Sequence, residues 1–376
     1  MYLYRLATSN GACELMRHYY ERTAAMHTIT HTMKRLGRTV MTCCIASAVL
    51  LGFSACGQQT IEKPQEKPKA IAPIAVVSTV DTWGSLAQEI GGNDIKVDSI
   101  MTGANSDITA FKPHTKDLQN MQNAQVVITN GAGYDDWATK THPKKAEIIS
   151  AAATVGALNG DNPYFWFSHD AREAMASAMA DTFSKVRPNK KNVFNQRLAQ
   201  WQQREKKLTT VLSDFSKEYG NAQYASTSPI LFWLMSDLNV KDSTPKEYAD
   251  AVSNNNEPQH SSIEEFQKLI EDRKVDVLIS DSQQGNDILN LLNGIAGRSY
   301  TSTVRVSELM PKYANRLDQW IMKICDDLQN ALQATKDMRK DIDEQESQKK
   351  PITKKPNVAK NTDPKNSNEG QQDPGK

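Results

Sequence analysis

Residues 188–219 read PNKKNVFNQRLAQWQQREKKLTTVLSDFSKEY. Phe194, Leu198, Trp201, Leu208, Leu212, Phe215 and Tyr219 recur at steps of three, four and seven residues. Only Glu205 breaks that stripe, and Lys190, Lys191, Arg197, Lys206, Lys207 and Lys217 lie on the other face. The 3.6-residue period predicts one amphipathic helix, roughly 45–50 Å long at about 1.5 Å per residue. Pro188 suits the first helical position, where its missing N–H is not needed, and Gly220 suits the position just past the end. One interrupted stripe is not the sustained heptad of a coiled-coil arm. Both flanks carry strand and helix patterns of similar extent, so the helix reads as the spine joining two lobes.

The chain of 376 residues is long enough for two domains plus appendages. Its 45 Lys and Arg nearly balance 44 Asp and Glu, which gives no electrostatic footprint for nucleic acid. Of Cys13, Cys43, Cys44, Cys56 and Cys325, only Cys325 falls in the predicted folded region, so no intrachain disulfide framework is expected there. Cys325 reads as a small buried hydrophobe on the last helix.

The ends are of a different kind. Residues 1–32 show no clean periodicity and precede Met33, and are read as an over-extended start. Residues 33–55 have Lys34, Arg35 and Arg38, then an apolar run over 40–53, then Ser54-Ala55 before Cys56. That run is too short to span a membrane comfortably and fits a signal peptide. Residues 56–70, polar with Pro64 and Pro68, read as a flexible tether, and 339–376 as a disordered tail.

Between the ends, strands are predicted at 74–79, 95–101, 124–129 and 147–151, with helices at 82–90 (closed by Gly91-Gly92) and from Thr115. After the spine, strands are expected at 223–226, 275–280 and 302–306, and helices at 230–238, 262–271, 287–295 and 313–335. This alternation gives an α/β chain: an N-terminal lobe over 71–187, a linking helix over 188–219 and a C-terminal lobe over 220–338. Ligands of parallel sheets bind beyond the carboxyl ends of the strands, here in the crevice between lobes. No nucleophile elbow, phosphate loop, HExxH or paired-cysteine motif occurs, so no enzymatic activity is expected.

Several local sequences then run in a telling order. They are Thr82 to Gly92 with Val97 to Met101, GANSD at 103–107, Phe111-Lys112-Pro113 with Lys116-Asp117, and AQVVITNGAG at 124–133. Asn162-Pro163-Tyr164-Phe165-Trp166, Ser226-Thr227-Ser228-Pro229, Glu257-Pro258 with 275–283, and Val306-Ser307-Glu308 follow. Over about residues 72–335 the chain resembles the zinc/manganese-binding substrate-binding lipoproteins of bacterial ABC metal importers. The resemblance implies two Rossmann-like lobes with parallel sheets on one long rigid spine helix. Ser54-Ala55-Cys56 resembles a lipobox, which implies cleavage before Cys56 and a lipid anchor on its sulfur. It further implies a monomer on the outer face of the bacterial cytoplasmic membrane that docks to an ABC permease and carries zinc or manganese.

The residues at the family's ligand positions do not suit that cargo. The resemblance puts Thr109, Tyr164 and Ser228 where the family has histidine, histidine, and glutamate or histidine; Glu308 alone keeps an acidic group. Zinc and manganese sites are built from imidazole, carboxylate or thiolate donors, whereas neutral hydroxyls are weak ones. A phenol with its ordinary pKa of about 10 is protonated at neutral pH. Three such replacements remove tight metal capture and leave at most weak zinc or manganese binding through Glu308, with His114, His169 or Asp107 as candidate substitutes. His142 and His260 lie in polar loops, and Asp281 ends a strand where it lines the crevice or caps the next helix. Tyr164 to Phe167, with Tyr134 and Trp137, read mainly as lobe packing; the sharper reading is an organic-solute pocket hydrogen-bonded by Thr109, Ser228 and Glu308. A stiff spine allows only small lobe motions, so the cleft chemistry is expected to be preformed. The other functional class is a non-transport surface lipoprotein that uses the frame to hold a partner.

Overall fold

A computed structural model describes residues 72–103, 111–140, 145–283 and 285–349. The leader, Cys56, the tether, Asp107, Thr109, His142 and the segment from 350 onward lie outside the described residues. In the first lobe, β1 (Ile74–Val80), β2 (Ile95–Met101), β3 (Val126–Thr129) and β4 (Glu147–Ser150) form a parallel sheet in the order β2-β1-β3-β4. In the second, β5 (Gln223–Ser226), β6 (Lys241–Asp242), β7 (Val277–Asp281) and β8 (Ser302–Val306) repeat the plan as β6-β5-β7-β8. The central strands β3 and β7 are buried along their whole length, as strands covered on both faces must be, and their β-branched residues suit that place.

Helices cover both sheets. Helix α1 (Asp81–Gly91) buries Trp83, Leu86, Ala87 and Ile90 and stops at Gly92, whose φ of 54° favours glycine. Helix α2 (Thr115–Asn123), the single turn α3 (Asp136–Thr139) and the short α4 (Ala151–Val155) follow in the first lobe. Then α5 (His169–Val186) buries Ala171, Met175, Ala176, Met179, Ala180 and Phe183. Periodicity predicts no helix over this stretch, because half of the buried apolar stripe is alanine and so weakly amphipathic.

The spine is α6 (Lys191–Tyr219), 29 residues long, and Pro188 stands in a separate 3-10 turn before it. Phe194, Trp201, Leu208, Leu212 and Phe215 are buried as the stripe requires, and Leu198 and Tyr219 are half-buried. Glu205, the break in the stripe, is only 2% exposed. Gly220 ends the helix by close approach rather than by left-handed backbone: its φ is −62°, and an added Cβ would stand 2.4 Å from the Ser216 carbonyl oxygen. Asp94 receives Lys190 at 2.9 Å and Arg197 at 3.0 Å, which fastens the start of the spine to the first lobe.

The second lobe adds α7 (Phe232–Asp237), α8 (Lys246–Ser253), α9 (His260–Glu271), α10 (Asp287–Arg298) and α11 (Leu317–Lys349). Helix α11 corrects two expectations: it starts after 313, and residues 339–349 are helical although they were read as the start of a disordered tail. Arg339 supplies the anchor there, donating to the Val275 carbonyl at 2.5 Å, the Thr301 hydroxyl at 2.9 Å and Asp276 at 3.2 Å. Beyond it, good helix formers need no apolar cover. One apolar cluster runs from the first sheet through the spine to the second sheet and includes Trp320, Ile321, Ile324 and Cys325. Each fully buried large side chain contributes about 1.5–3 kcal/mol, so the spine is held to both lobes by packing along most of its length. The described residues thus form two α/β lobes with parallel sheets on one long spine, the expected fold class.

Candidate functional site

In each sheet the strand order reverses between the two central strands, β1 and β3 in one lobe and β5 and β7 in the other. The carboxyl ends of those strands are where such sheets place ligands. At the first reversal, Asp135 accepts the Thr79 hydroxyl at 2.5 Å and the N–H groups of Asn130 and Gly131 at 2.7 and 2.8 Å. Burial pushes the Asp135 carboxyl up, and these three donors oppose that rise. Gly131 is required in this turn: its φ is 80°, and a Cβ would meet Ala152 and Ser150 side-chain atoms at 2.8 Å. Asp81, the first residue of α1, holds the Gly103 N–H at 2.7 Å.

Asn130 carries the order outward. Its side chain accepts the Trp83 indole N–H at 2.9 Å and donates to the Pro163 carbonyl at 2.8 Å, which fixes the segment 162–167 over the first sheet. Within that segment the Tyr164 N–H bonds the Asn162 side chain at 3.0 Å. The Tyr164 ring meets Tyr134 and Trp166 edge-on, with centroids 6.3 and 5.8 Å apart. Tyr164, Phe165, Trp166 and Phe167 are all buried and pack on rings of the core, such as Phe165 on Trp233 and Phe167 on Trp320. That is the lobe-packing reading of the aromatic run.

The second lobe presents Glu308. At the second reversal the Asp281 N–H donates to the Thr227 hydroxyl at 3.2 Å, and the Asp281 carboxylate accepts the Gln283 N–H at 2.8 Å. The Gln283 side chain in turn accepts the Glu308 N–H at 2.5 Å, so the ends of β7 and β8 are tied together behind Glu308. Ser228 follows β5, and its hydroxyl is buried with no hydrogen-bond partner among the described residues.

Two of the expected cleft positions meet directly. The Tyr164 hydroxyl donates to the Glu308 carboxylate at 2.8 Å, between residues 8% and 6% exposed. Burial, the Glu308 charge and this bond, with Asp281 nearby, hold the Tyr164 phenol well above its ordinary pKa. Burial, with Glu308 and the Tyr164 hydroxyl close by, does the same to Tyr134. At physiological pH both phenols keep their protons, so Tyr164 meets Glu308 as a hydrogen-bond donor and offers no phenolate to a metal ion.

The candidate substitutes are placed elsewhere. The His169 imidazole bonds Glu205 on the spine at 2.9 Å, and its backbone N–H donates to Asp237 at 3.2 Å. Arg172, 0% exposed, gives Glu205 two bonds at 3.0 and 2.6 Å and a third to the Trp166 carbonyl at 3.2 Å. His169 is therefore bonded to Glu205 on the spine, beside the buried Arg172. His114 is exposed at the N-terminal end of α2, where its N–H donates to Asp117 at 2.7 Å. His260 is exposed beside Glu264 at 3.2 Å. Among the described residues no group of three or more His, Cys, Asp or Glu is placed to hold a metal ion. Also among them, no helix is long and apolar enough to cross a membrane. Sequence reading missed Gln283, whose neutral amide carries no chemical flag, although the segment 275–283 was singled out as a match.

The ionic node makes a pH prediction. The Glu205 hydrogen bond raises the His169 pKa above its ordinary 6.5, with burial opposing it. A raised folded-state pKa gives stability that is complete below the unfolded value and is lost as pH rises through the folded one. The stability difference between the native protein and His169→Gln is therefore expected to be largest near pH 5.5–6 and to shrink toward pH 9, measured by urea unfolding across that range.

The family model "ZnuA: Zinc-uptake complex component A periplasmic" matches residues 76–334. Among solved structures, the periplasmic zinc-binding protein TroA from Treponema pallidum is similar at 15% identity and a TM-score of 0.60, covering 69% of this chain and 99% of that one. A periplasmic metal-binding protein from Candidatus Liberibacter asiaticus matches at 14% identity and 0.57, over 69% and 99%. The laminin-binding protein Lbp of Streptococcus pyogenes matches at 14% and 0.57, over 70% and 100%. At such identities these likenesses show the shared two-lobe fold. The family match spans well over half of the sequence, and on that ground the chain belongs to the zinc-uptake complex component A family, the periplasmic solute-binding partners of ABC metal importers.

Proposed function

We propose that this protein is a monomeric, lipid-anchored solute-binding component of an ABC importer whose cleft does not take zinc in the family's manner. The anchor is Cys56 after a signal peptide over 33–55, with 56–70 as the tether; the lobes span 71–187 and 220–338 around the linking helix. The Tyr164–Glu308 hydrogen bond carries the reading, because it puts the family's one retained acidic position to use within the protein. Thr109 and Ser228 add only neutral hydroxyls at two further positions, and His169, the nearest imidazole in sequence to Tyr164, serves Glu205. The packed aromatic segment at 164–167 also favours a second reading, a surface lipoprotein that keeps the frame as a scaffold for a partner protein.

Zinc separates these readings from ordinary family behaviour. A ligand at 100 times its dissociation constant stabilises a protein by about 2.7 kcal/mol. For a fold of this size each kcal/mol moves Tm by about 2–4 °C. Micromolar zinc or manganese added to chelator-stripped protein is expected to leave Tm unchanged. A rise of several degrees that disappears in Glu308→Ala would overturn the proposal. A rise with an organic solute would support transport of another cargo, and no response across a solute library would support the scaffold.

A further inference from the structure

We infer that the Tyr164–Glu308 hydrogen bond is a built-in latch that holds the two lobes together without any solute, so that a partner recognising the closed arrangement engages this protein empty. The inference rests on the proposed loss of zinc binding and deepens it. Tyr164 and Glu308 are separated by 144 residues and belong to opposite lobes, yet their side chains meet at 2.8 Å. Each is fixed from behind. Asn162 and the rings of Tyr134 and Trp166 hold Tyr164, and Gln283 holds the Glu308 backbone. A parallel seam runs beside the latch: the Asn162 side chain donates to the Pro229 carbonyl at 2.8 Å, and the Trp233 indole donates to the Asn162 carbonyl at 3.2 Å. Farther round, the Ser85 hydroxyl donates to the Asn315 carbonyl at 2.8 Å.

A solute shifts a two-state equilibrium only by its difference in affinity for the two states, and it shifts nothing when the favoured state is already filled. Here the closing contact is made by residues of the chain itself. Closure therefore carries no information about cargo.

Hydrogen–deuterium exchange on the full-length chain tests this through peptides covering 162–167 and 306–310. In the native protein, exchange of both is expected to be the same with excess zinc and with chelator. Losing a hydrogen bond to a charged group is expected to speed their exchange about tenfold in Tyr164→Phe. Glu308→Gln, which keeps a neutral acceptor, is expected to fall between the two. Unchanged exchange at 126–129, in the first sheet, shows in each variant that the lobe stays folded. Native-like exchange of both segments in Tyr164→Phe would overturn the latch and leave the proposed function standing. Segments that become protected only when zinc is added would overturn both.

Discussion

Glu205→Ala is expected to destabilise the protein by about 3–5 kcal/mol, the cost of breaking a buried ion pair from one side. Glu205 sits in the middle of the spine at 2% exposure and receives Arg172, which has no exposure at all. Burial alone would raise the Glu205 carboxyl, but the Arg172 charge and the His169 and Arg172 hydrogen bonds outweigh it and hold the group below its ordinary pKa. Alanine leaves the Arg172 guanidinium in the core with only the Trp166 carbonyl among these partners, and it releases His169 as well. At about 2–4 °C per kcal/mol the fall in Tm should be about 6–20 °C. Glu205→Leu combined with Arg172→Met should be much milder, because neither charge is then left buried alone. A loss below about 1 kcal/mol in Glu205→Ala would mean that the node is solvated and contributes as a surface pair does.

The same node shows what a sequence can reveal. Glu205 is visible as a fault in an apolar stripe, but nothing near it in sequence names Arg172 as the partner, 33 residues away on another helix. Strands 95–101, 223–226 and 302–306 were legible to the residue, helped by turn-forming neighbours such as Gly92, Asn93, Gly103, Gly220 and Asn221. Helix α5 was hard to read because alanine packs closely without a strong apolar signal, and residues 339–349 because their helix hangs on Arg339 rather than on burial. Strand β6 has two residues, too few for any period, and the adjoining α8 (Lys246–Ser253) was passed over with it. At Tyr164 and Glu308 the residue types were plain in the sequence. The pairing of Tyr164 with Glu308 was not, since it arises only when two lobes fold against one spine.

Restoring ligands is expected to have the second large effect. In the triple variant Thr109→His, Tyr164→His and Ser228→Glu, Glu308 loses its phenolic partner, and the chain gains two imidazoles and a carboxylate at the positions that the resemblance assigns to the family's ligands. Imidazole and carboxylate donors are what zinc takes, and Gln283 continues to hold the Glu308 backbone from behind. Affinity for zinc should rise by more than the roughly 10–100-fold that outer-sphere changes produce. Tyr164→His alone adds one donor and should gain far less. The packing of the spine against both lobes holds the frame that carries Tyr164, Ser228 and Glu308. Failure of a folded triple variant to bind zinc would show that the four positions do not converge.

The central claim is that the native cleft is closed by its own residues where the family holds metal. Calorimetric titration of zinc into chelator-stripped native protein tests it most directly. The account predicts no saturable heat at micromolar zinc, in the native protein and in Glu308→Ala alike. A 1:1 isotherm at those concentrations in the native protein, abolished by Glu308→Ala, would contradict it.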